Sequence, residues 1–85
     1  QNYPNPFNPE TKIDYDIAAD GNVSIILYDM MGREVRELVN ENKPAGYYSV
    51  KLNAGSIPSG VYFYRISAEG STGHFTSIKK MVIVK

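Results

Sequence analysis

Alternation of apolar and polar residues is the feature that most limits what this chain can fold into. Every second residue is apolar in two early segments, which contain Ile13, Tyr15 and Ile17 and then Val23, Ile25 and Leu27. Because successive side chains of a β-strand point to opposite faces, this period of two predicts strands and not helices. The first segment predicts a half-buried strand. The second is apolar on nearly both faces, which predicts a strand in the centre of a sheet.

Turn-forming residues separate these segments from four further strand patterns. Gly32 stands where a hairpin turn needs a positive φ angle, and Asp29 can accept backbone hydrogen bonds as that turn begins. The later patterns predict a short return strand over 35–39, a half-buried strand over 47–52, a strand over 61–69 and a last strand over 78–85. Six or seven short strands with frequent turns and no helical period predict an all-β fold, an antiparallel β-sandwich.

The chain has 85 residues, which is enough for one small domain but not for two ordinary cores. Its first ten residues contain three of the five prolines and three asparagines, a composition that disfavours helix and interior strand alike. We therefore predict a Pro/Asn-rich entry segment over residues 1–10 and a β-sandwich over residues 11–85. The chain contains neither a basic-then-apolar signal sequence nor an apolar run of about 20 residues, so any export leader is expected outside it.

Charge and cysteine content exclude several classes of function. Nine Lys and Arg residues balance nine Asp and Glu residues, so the chain lacks the strong positive field typical of nucleic-acid or anionic-membrane binding. Lys79 and Lys80 are adjacent on a predicted strand, so they should point to opposite faces and form no concentrated phosphate site. The absence of cysteine excludes disulfides and Cys/His nucleophiles. We expect no nucleic-acid partner, no direct membrane insertion and no cofactor.

Candidate catalytic and metal-binding groups are few. His74 is the only histidine, and the sequence predicts it in a solvated loop, so neither a catalytic triad nor a multi-histidine zinc site is expected. Asp14 and Asp16 share a strand face. Asp20 or Asp29 could in principle join them around a calcium ion, but ordinary solvent-facing charges are the favoured interpretation. We therefore expect a domain that is not an enzyme.

The seven tyrosines allow two interpretations. Exposed aromatic rings on a sheet can stack against sugars, whereas tyrosines at strand spacing often fill the core or pair across strands. For Tyr62 and Tyr64 we favour packing, because tyrosine is generally enriched in strands.

The end of the last predicted strand also has two interpretations. Residues 81–84 are apolar on both faces, and three lysines bracket the run, namely Lys79, Lys80 and Lys85. The run is either a buried strand with charged residues that discourage edge pairing or a chain end displayed for recognition.

Three motifs, in order along the chain, resemble the type A C-terminal sorting domain of the type IX secretion system, a family found in Bacteroidetes and relatives. The opening motif is NYPNPFNP at 2–9, followed by TKIDYDI. The middle motif is VSIILYDMMGREV at 23–35, followed by LVN and PAGYYSV. The closing motif is SGVYFYRI at 59–66, with KKMVIVK at 79–85. The resemblance covers almost the whole chain.

The resemblance implies an immunoglobulin-like sandwich that serves as a secretion address, with an N-terminal cargo domain in the full-length protein. It implies transit through the periplasm and then a location at the cell surface or outside the cell. The implied partners are the outer-membrane translocon, its shuttle proteins and a sortase-like surface protease that cuts upstream of the domain. In this family, recognition is associated with the closing region, which maps onto Ser59, Gly60, Val61, Tyr62, Lys79, Lys80, Met81, Val82, Ile83, Val84 and Lys85.

An alternative is an accessory immunoglobulin-like module of a secreted enzyme, which binds carbohydrate or acts as a spacer. A secretion address predicts export that depends on the last residues of the chain, whereas an accessory module predicts indifference to them. Gly60 also has a purely structural interpretation, because glycine before a strand suits a positive φ angle or a close backbone approach.

Overall fold

The computed structural model describes residues 10–70 and 73–84, which form six antiparallel strands in two sheets. The strands are β1 (Glu10–Ile17), β2 (Gly21–Tyr28), β3 (Glu34–Lys43), β4 (Gly46–Asn53), β5 (Gly60–Gly70) and β6 (Gly73–Ile83). This architecture confirms the predicted antiparallel β-sandwich of six to seven strands. The described residues include no helix long and apolar enough to cross a membrane.

The two sheets differ in size. The larger sheet has the strand order β3-β2-β5-β6, and the smaller sheet pairs β1 with β4. The chain therefore changes sheets between β1 and β2, between β3 and β4, and again between β4 and β5. Strand β2 lies between β3 and β5, which confirms its predicted central position.

The core lies between the inner faces of the two sheets. Alternate residues of β1 and β2 are buried, as their period of two predicts. The least accessible large side chains are Ile13, Val23, Ile25, Leu27, Leu52, Met81 and Ile83. Both sheets and the last strand thus contribute to one core.

The turn between β2 and β3 has the predicted chemistry. The Asp29 Oδ1 atom accepts hydrogen bonds from the backbone N–H groups of Met31 and Arg33, at 2.9 and 3.0 Å. Gly32 has a φ angle of 82°, a left-handed conformation that glycine adopts without the usual Cβ penalty. The side chain and the glycine together fix the hairpin.

The strand registers place the connections at two opposite ends. The connections at 18–20 and 44–45 lie at the same end as Gly70 and Gly73, and we call this the Asp20 end. The turn at 29–33, the loop at 54–59 and residue 84 lie at the other end, which we call the Val84 end. At the Asp20 end, the Ala45 N–H donates a 2.7 Å hydrogen bond to Asp20 Oδ1.

Two predicted boundaries were wrong. The return strand predicted over 35–39 extends from Glu34 to Lys43, because polar residues continue the pairing with β2 along an edge of the sheet. His74 lies in β6 and not in a loop, because β6 pairs with β5 residue by residue from Gly73 onward. The predicted entry segment lies outside the described residues except for Glu10, which already belongs to β1.

Candidate recognition surface

The two segments predicted to carry recognition lie side by side in the structure. Gly60 is opposite Ile83, Val61 is opposite Val82, and Tyr62 is opposite Met81. Strand β6 is also an edge strand, because no other strand in the described part of the chain pairs with its far side. Residues distant in sequence therefore form one corner of the larger sheet, at the Val84 end.

The inward-facing members of this set are core residues. Met81 and Ile83 are 0% and 1% exposed, and Tyr62 is buried beside them. The Tyr62 hydroxyl donates a 2.7 Å hydrogen bond to the Pro58 carbonyl oxygen, which attaches the loop at 54–59 to the start of β5. These side chains hold the corner together from inside and are not available for contact in the folded domain.

The outward-facing members continue into a strip across the outer face of the larger sheet. Tyr28 is opposite Phe63, and Phe63 is opposite Lys80. Val61 and Val82 lie opposite each other on the same face, nearer the Val84 end. Tyr28, Phe63, Val61 and Val82 are partly buried, and Lys80 is exposed. We define the outer strip as Tyr28, Val61, Phe63, Lys80 and Val82. Tyr28 and Phe63 were not predicted as site residues.

A second row extends the outer strip away from the Val84 end. Ile26, Arg65 and Ile78 lie opposite one another across β2, β5 and β6. The Arg65 guanidinium carbon lies 5.4 Å from the centre of the Tyr28 ring, within the range of a cation–π contact. The outer strip and this second row therefore form an apolar surface whose cationic groups are Lys80 and Arg65.

The remaining recognition candidates lie at the margins of the corner. Ser59 and Gly60 are exposed at the start of β5, and Gly60 has a positive φ angle of 159°. Lys79 is exposed and lies opposite Tyr64, on the inner face of β6, so the prediction that Lys79 and Lys80 point to opposite faces is confirmed. Val84 is 48% exposed just beyond β6. Lys85 lies outside the described residues.

The four aspartates considered for calcium do not come together. Asp20 and Asp29 lie at opposite ends of β2, and Asp14 accepts a 2.6 Å hydrogen bond from the Ser49 hydroxyl. Backbone N–H donation, chiefly from Arg33, lowers the pKa of Asp29, so this carboxylate serves the turn. Within residues 10–70 and 73–84 no three Asp, Glu or His side chains are placed to hold a metal ion.

The tyrosines considered for sugar binding are mostly packing residues. Tyr62 and Tyr64 are buried, which confirms the packing interpretation. Tyr15 stacks on Tyr48 with ring centres 5.6 Å apart, and burial raises the pKa of Tyr15. Tyr47, by contrast, is 90% exposed on the outer face of the smaller sheet.

The fold and its corner define a small β-sandwich domain that displays a largely apolar strip beside β6, an edge strand among the described strands. The family model described as a secretion system C-terminal sorting domain matches residues 1–84, and the chain belongs to this family. The chain is therefore a sorting signal of type IX secretion. Domains of this family are typically not catalytic. Membership implies interaction with the secretion machinery and export to the cell surface or the extracellular space. No curated protein and no solved structure matches the chain.

Proposed function

We propose that this domain directs an attached cargo protein across the outer membrane, and that the secretion machinery recognises the outer strip together with the edge of β6 that no described strand pairs with. The observation that carries the proposal is the pairing of the start of β5 with the end of β6, which places Val61 beside Val82. Both segments associated with recognition in the family thereby contribute to one surface of the folded domain.

The chemistry of this surface suits a protein partner. Its middle is apolar, while Lys80 and Arg65 supply positive charge on the same face. Apolar patches with polar or charged rims commonly mark protein–protein contacts. The edge of β6 can also pair with an added strand through backbone hydrogen bonds. A partner that presents apolar side chains next to carboxylates would complement the apolar middle of this surface and the positive charges of Lys80 and Arg65.

We infer the route from membership of the family. The domain passes through the periplasm with its cargo, and the outer-membrane translocon and its shuttle proteins bind it there. A sortase-like surface protease then cuts upstream of the domain, and the cargo is anchored at the cell surface. In this proposal the cargo precedes the domain, and residues 1–9 connect it to the sandwich, whose first strand begins at Glu10.

The test is export of a fluorescent reporter fused ahead of residues 1–85, in a bacterium with a working type IX system. The test variant combines Lys80→Ser with Val82→Ser on the outer strip. The matched control combines Lys12→Ser with Lys51→Ser, an exposed pair on the outer face of the smaller sheet. Lys80→Glu alone is a further test variant that changes only an exposed side chain. Thermal unfolding of each purified domain shows whether it remains folded.

We expect the unchanged fusion and the Lys12/Lys51 control to leave the cell, while both outer-strip variants accumulate in the periplasm. Equal export of folded test and control variants would show that the outer strip is not the contact surface. Retention of every fusion, including the unchanged one, would contradict the export role in that host and favour the accessory module.

A further inference from the structure

A short motif occurs at the start of two different strands. Residues 44–48 read Pro-Ala-Gly-Tyr-Tyr and residues 58–62 read Pro-Ser-Gly-Val-Tyr, so proline, glycine and tyrosine recur at the same spacing. The glycine is the first residue of β4 in one copy and of β5 in the other. We call the two copies the first and the second Pro-Gly-Tyr motif.

The two copies form the same hydrogen bond. The Tyr48 hydroxyl donates to the Pro44 carbonyl oxygen, and the Tyr62 hydroxyl donates to the Pro58 carbonyl oxygen. Both tyrosines lie on the inner face of their sheet, opposite Tyr15 and Met81 respectively. Each bond therefore ties the connection that precedes a strand to the third residue of that strand.

The glycines of the two copies also match. Gly46 and Gly60 have φ angles of 154° and 159°, which residues with a side chain rarely adopt. The ring of the tyrosine two residues later lies 3.8 Å from the place that a Cβ atom would take at Gly46, and 3.7 Å at Gly60. A ring that packs over a glycine compensates for the side chain that the glycine lacks.

Both motifs start a strand opposite the end of its antiparallel partner. Gly46 is opposite Ile17, the last residue of β1, and Gly60 is opposite Ile83, the last residue of β6. The first motif lies at the Asp20 end of the molecule and the second at the Val84 end. Because the same local structure forms at two distant places, the motif itself determines it.

The second motif lies under part of the outer strip. Its fourth residue, Val61, points outward and is paired with Val82. No other described strand pairs with the end of β6, so the backbone pairing of this end depends on the start of β5. The hydrogen bond of Tyr62 holds that start in place. The first motif has Tyr47 at the equivalent position, on the smaller sheet and away from the outer strip.

We propose that the second Pro-Gly-Tyr motif positions the recognition corner, because Gly60 and the Tyr62 hydroxyl set the start of β5 and so hold Val61 beside Val82. Tyr62 is a positioning residue, since its buried side chain acts through Val61. The inference rests on the proposed function, in which the outer strip is the contact surface. The first motif has the same structure at the other end of the molecule and provides the matched control.

The structural part of the test compares Tyr62→Phe with Tyr48→Phe. Each substitution removes one hydroxyl and keeps the ring, so each should lower Tm by roughly 4–8 °C. Strand ends exchange their amide hydrogens through local opening, so exchange at 60–62 and 81–83, measured by NMR, should be about fivefold faster in Tyr62→Phe than in Tyr48→Phe. Equal exchange at these residues in the two variants would overturn the positioning role, whatever the export result.

The functional part of the test is export of the reporter fusion. Gly60→Ala combined with Tyr62→Phe disrupts the second motif, and Gly46→Ala combined with Tyr48→Phe disrupts the first, because alanine is strained at both glycine positions. We expect the second-motif fusion to accumulate in the periplasm while the first-motif fusion still leaves the cell. If thermal unfolding shows that a double variant is not folded, the two single tyrosine variants are compared instead, with the same expected order.

The Lys80→Ser/Val82→Ser fusion, exported in parallel, separates two kinds of failure. Equal export of the two folded motif variants, with the Lys80/Val82 variant retained in the periplasm, would overturn the role of the motif in recognition and leave the outer strip as the contact surface. Export of all three would contradict the outer strip itself, and the recognition role of the motif would fall with it.

Discussion

Replacement of Met81 by alanine tests whether the last strand belongs to the core or is only a displayed tail. The Met81 side chain is 0% exposed and lies opposite Tyr62, itself buried. Truncation to alanine leaves the surrounding residues without their packing partner. Tyr62, the residue opposite Met81, is restrained from moving into the space because its hydroxyl donates a hydrogen bond to the Pro58 carbonyl. We therefore expect little relaxation around the vacated space.

The expected cost follows from burial. Truncation of a buried Leu, Ile or Met to Ala typically costs about 2–5 kcal/mol. We expect roughly 3 kcal/mol here. An 85-residue domain has a total stability of about 4–13 kcal/mol if each residue contributes ~0.05–0.15 kcal/mol. For a domain of this size, 1 kcal/mol corresponds to roughly 4–8 °C in Tm, so we expect a fall of about 12–24 °C.

The assay is urea and thermal unfolding of the purified domain, followed by far-UV circular dichroism. Val82→Ala is the matched control, because it shortens the adjacent side chain on the outer face, where burial is only partial. We expect this control to cost about 1 kcal/mol or less. A cost below about 1 kcal/mol for Met81→Ala, or a larger cost for Val82→Ala, would refute the assignment of the end of β6 to the core.

Two further substitutions test local structure. We expect Gly21→Ala to cost at least about 1–3 kcal/mol in urea unfolding, because its Cβ would overlap the backbone carbonyl of Glu69, while Asn22→Ala, one exposed residue further, should cost little. The Asp29 carboxylate should stabilise the turn fully above the ordinary pKa of 3.8 and lose this effect as the pH falls through the lowered pKa of the folded state. An NMR titration of the Arg33 amide should show this transition in the unchanged domain and not in Asp29→Asn. A titration that is the same in both would refute the role of the carboxylate.

The sequence pattern predicted where the strands lie better than it predicted which strands pair. The period of two identified β1, β2, β4 and β5, and the Asp29/Gly32 chemistry identified the hairpin turn, because these signals are local. The pairing of β1 with β4 could not be predicted in this way, since it depends on which faces meet across the core. The first half of β6 was missed because polar residues such as Thr76 and Ser77 lack an apolar period, and their extended conformation comes from pairing with β5.

The sequence predicted the candidate site as two separate segments, and the register of β5 against β6 places them side by side. No local signal shows that Val61 faces Val82, because this depends on the length of the hairpin between them. Tyr28 and Phe63 were missed for a related reason. The apolar residues on both faces of β2 predicted a central position in the sheet, and this prediction is correct. The outward-facing residues of such a strand also contribute to the outer surface of the sheet, and that consequence was not predicted. The apolar residues on the outward face of β2 were the sequence signal that could have identified Tyr28 as part of the surface.

The period of two also separates the roles of neighbouring residues at the end of β6. Met81 and Ile83 point into the core, while Lys80 and Val82 point outward beside Phe63 and Val61. A deletion of the last residues removes both sets, so lost export after truncation would not distinguish a misfolded domain from a missing contact. Substitutions at outward positions alone can make this distinction. Because the outer strip combines residues from three strands, a linear peptide with the sequence of β6 lacks most of it, and recognition through this strip requires the folded domain.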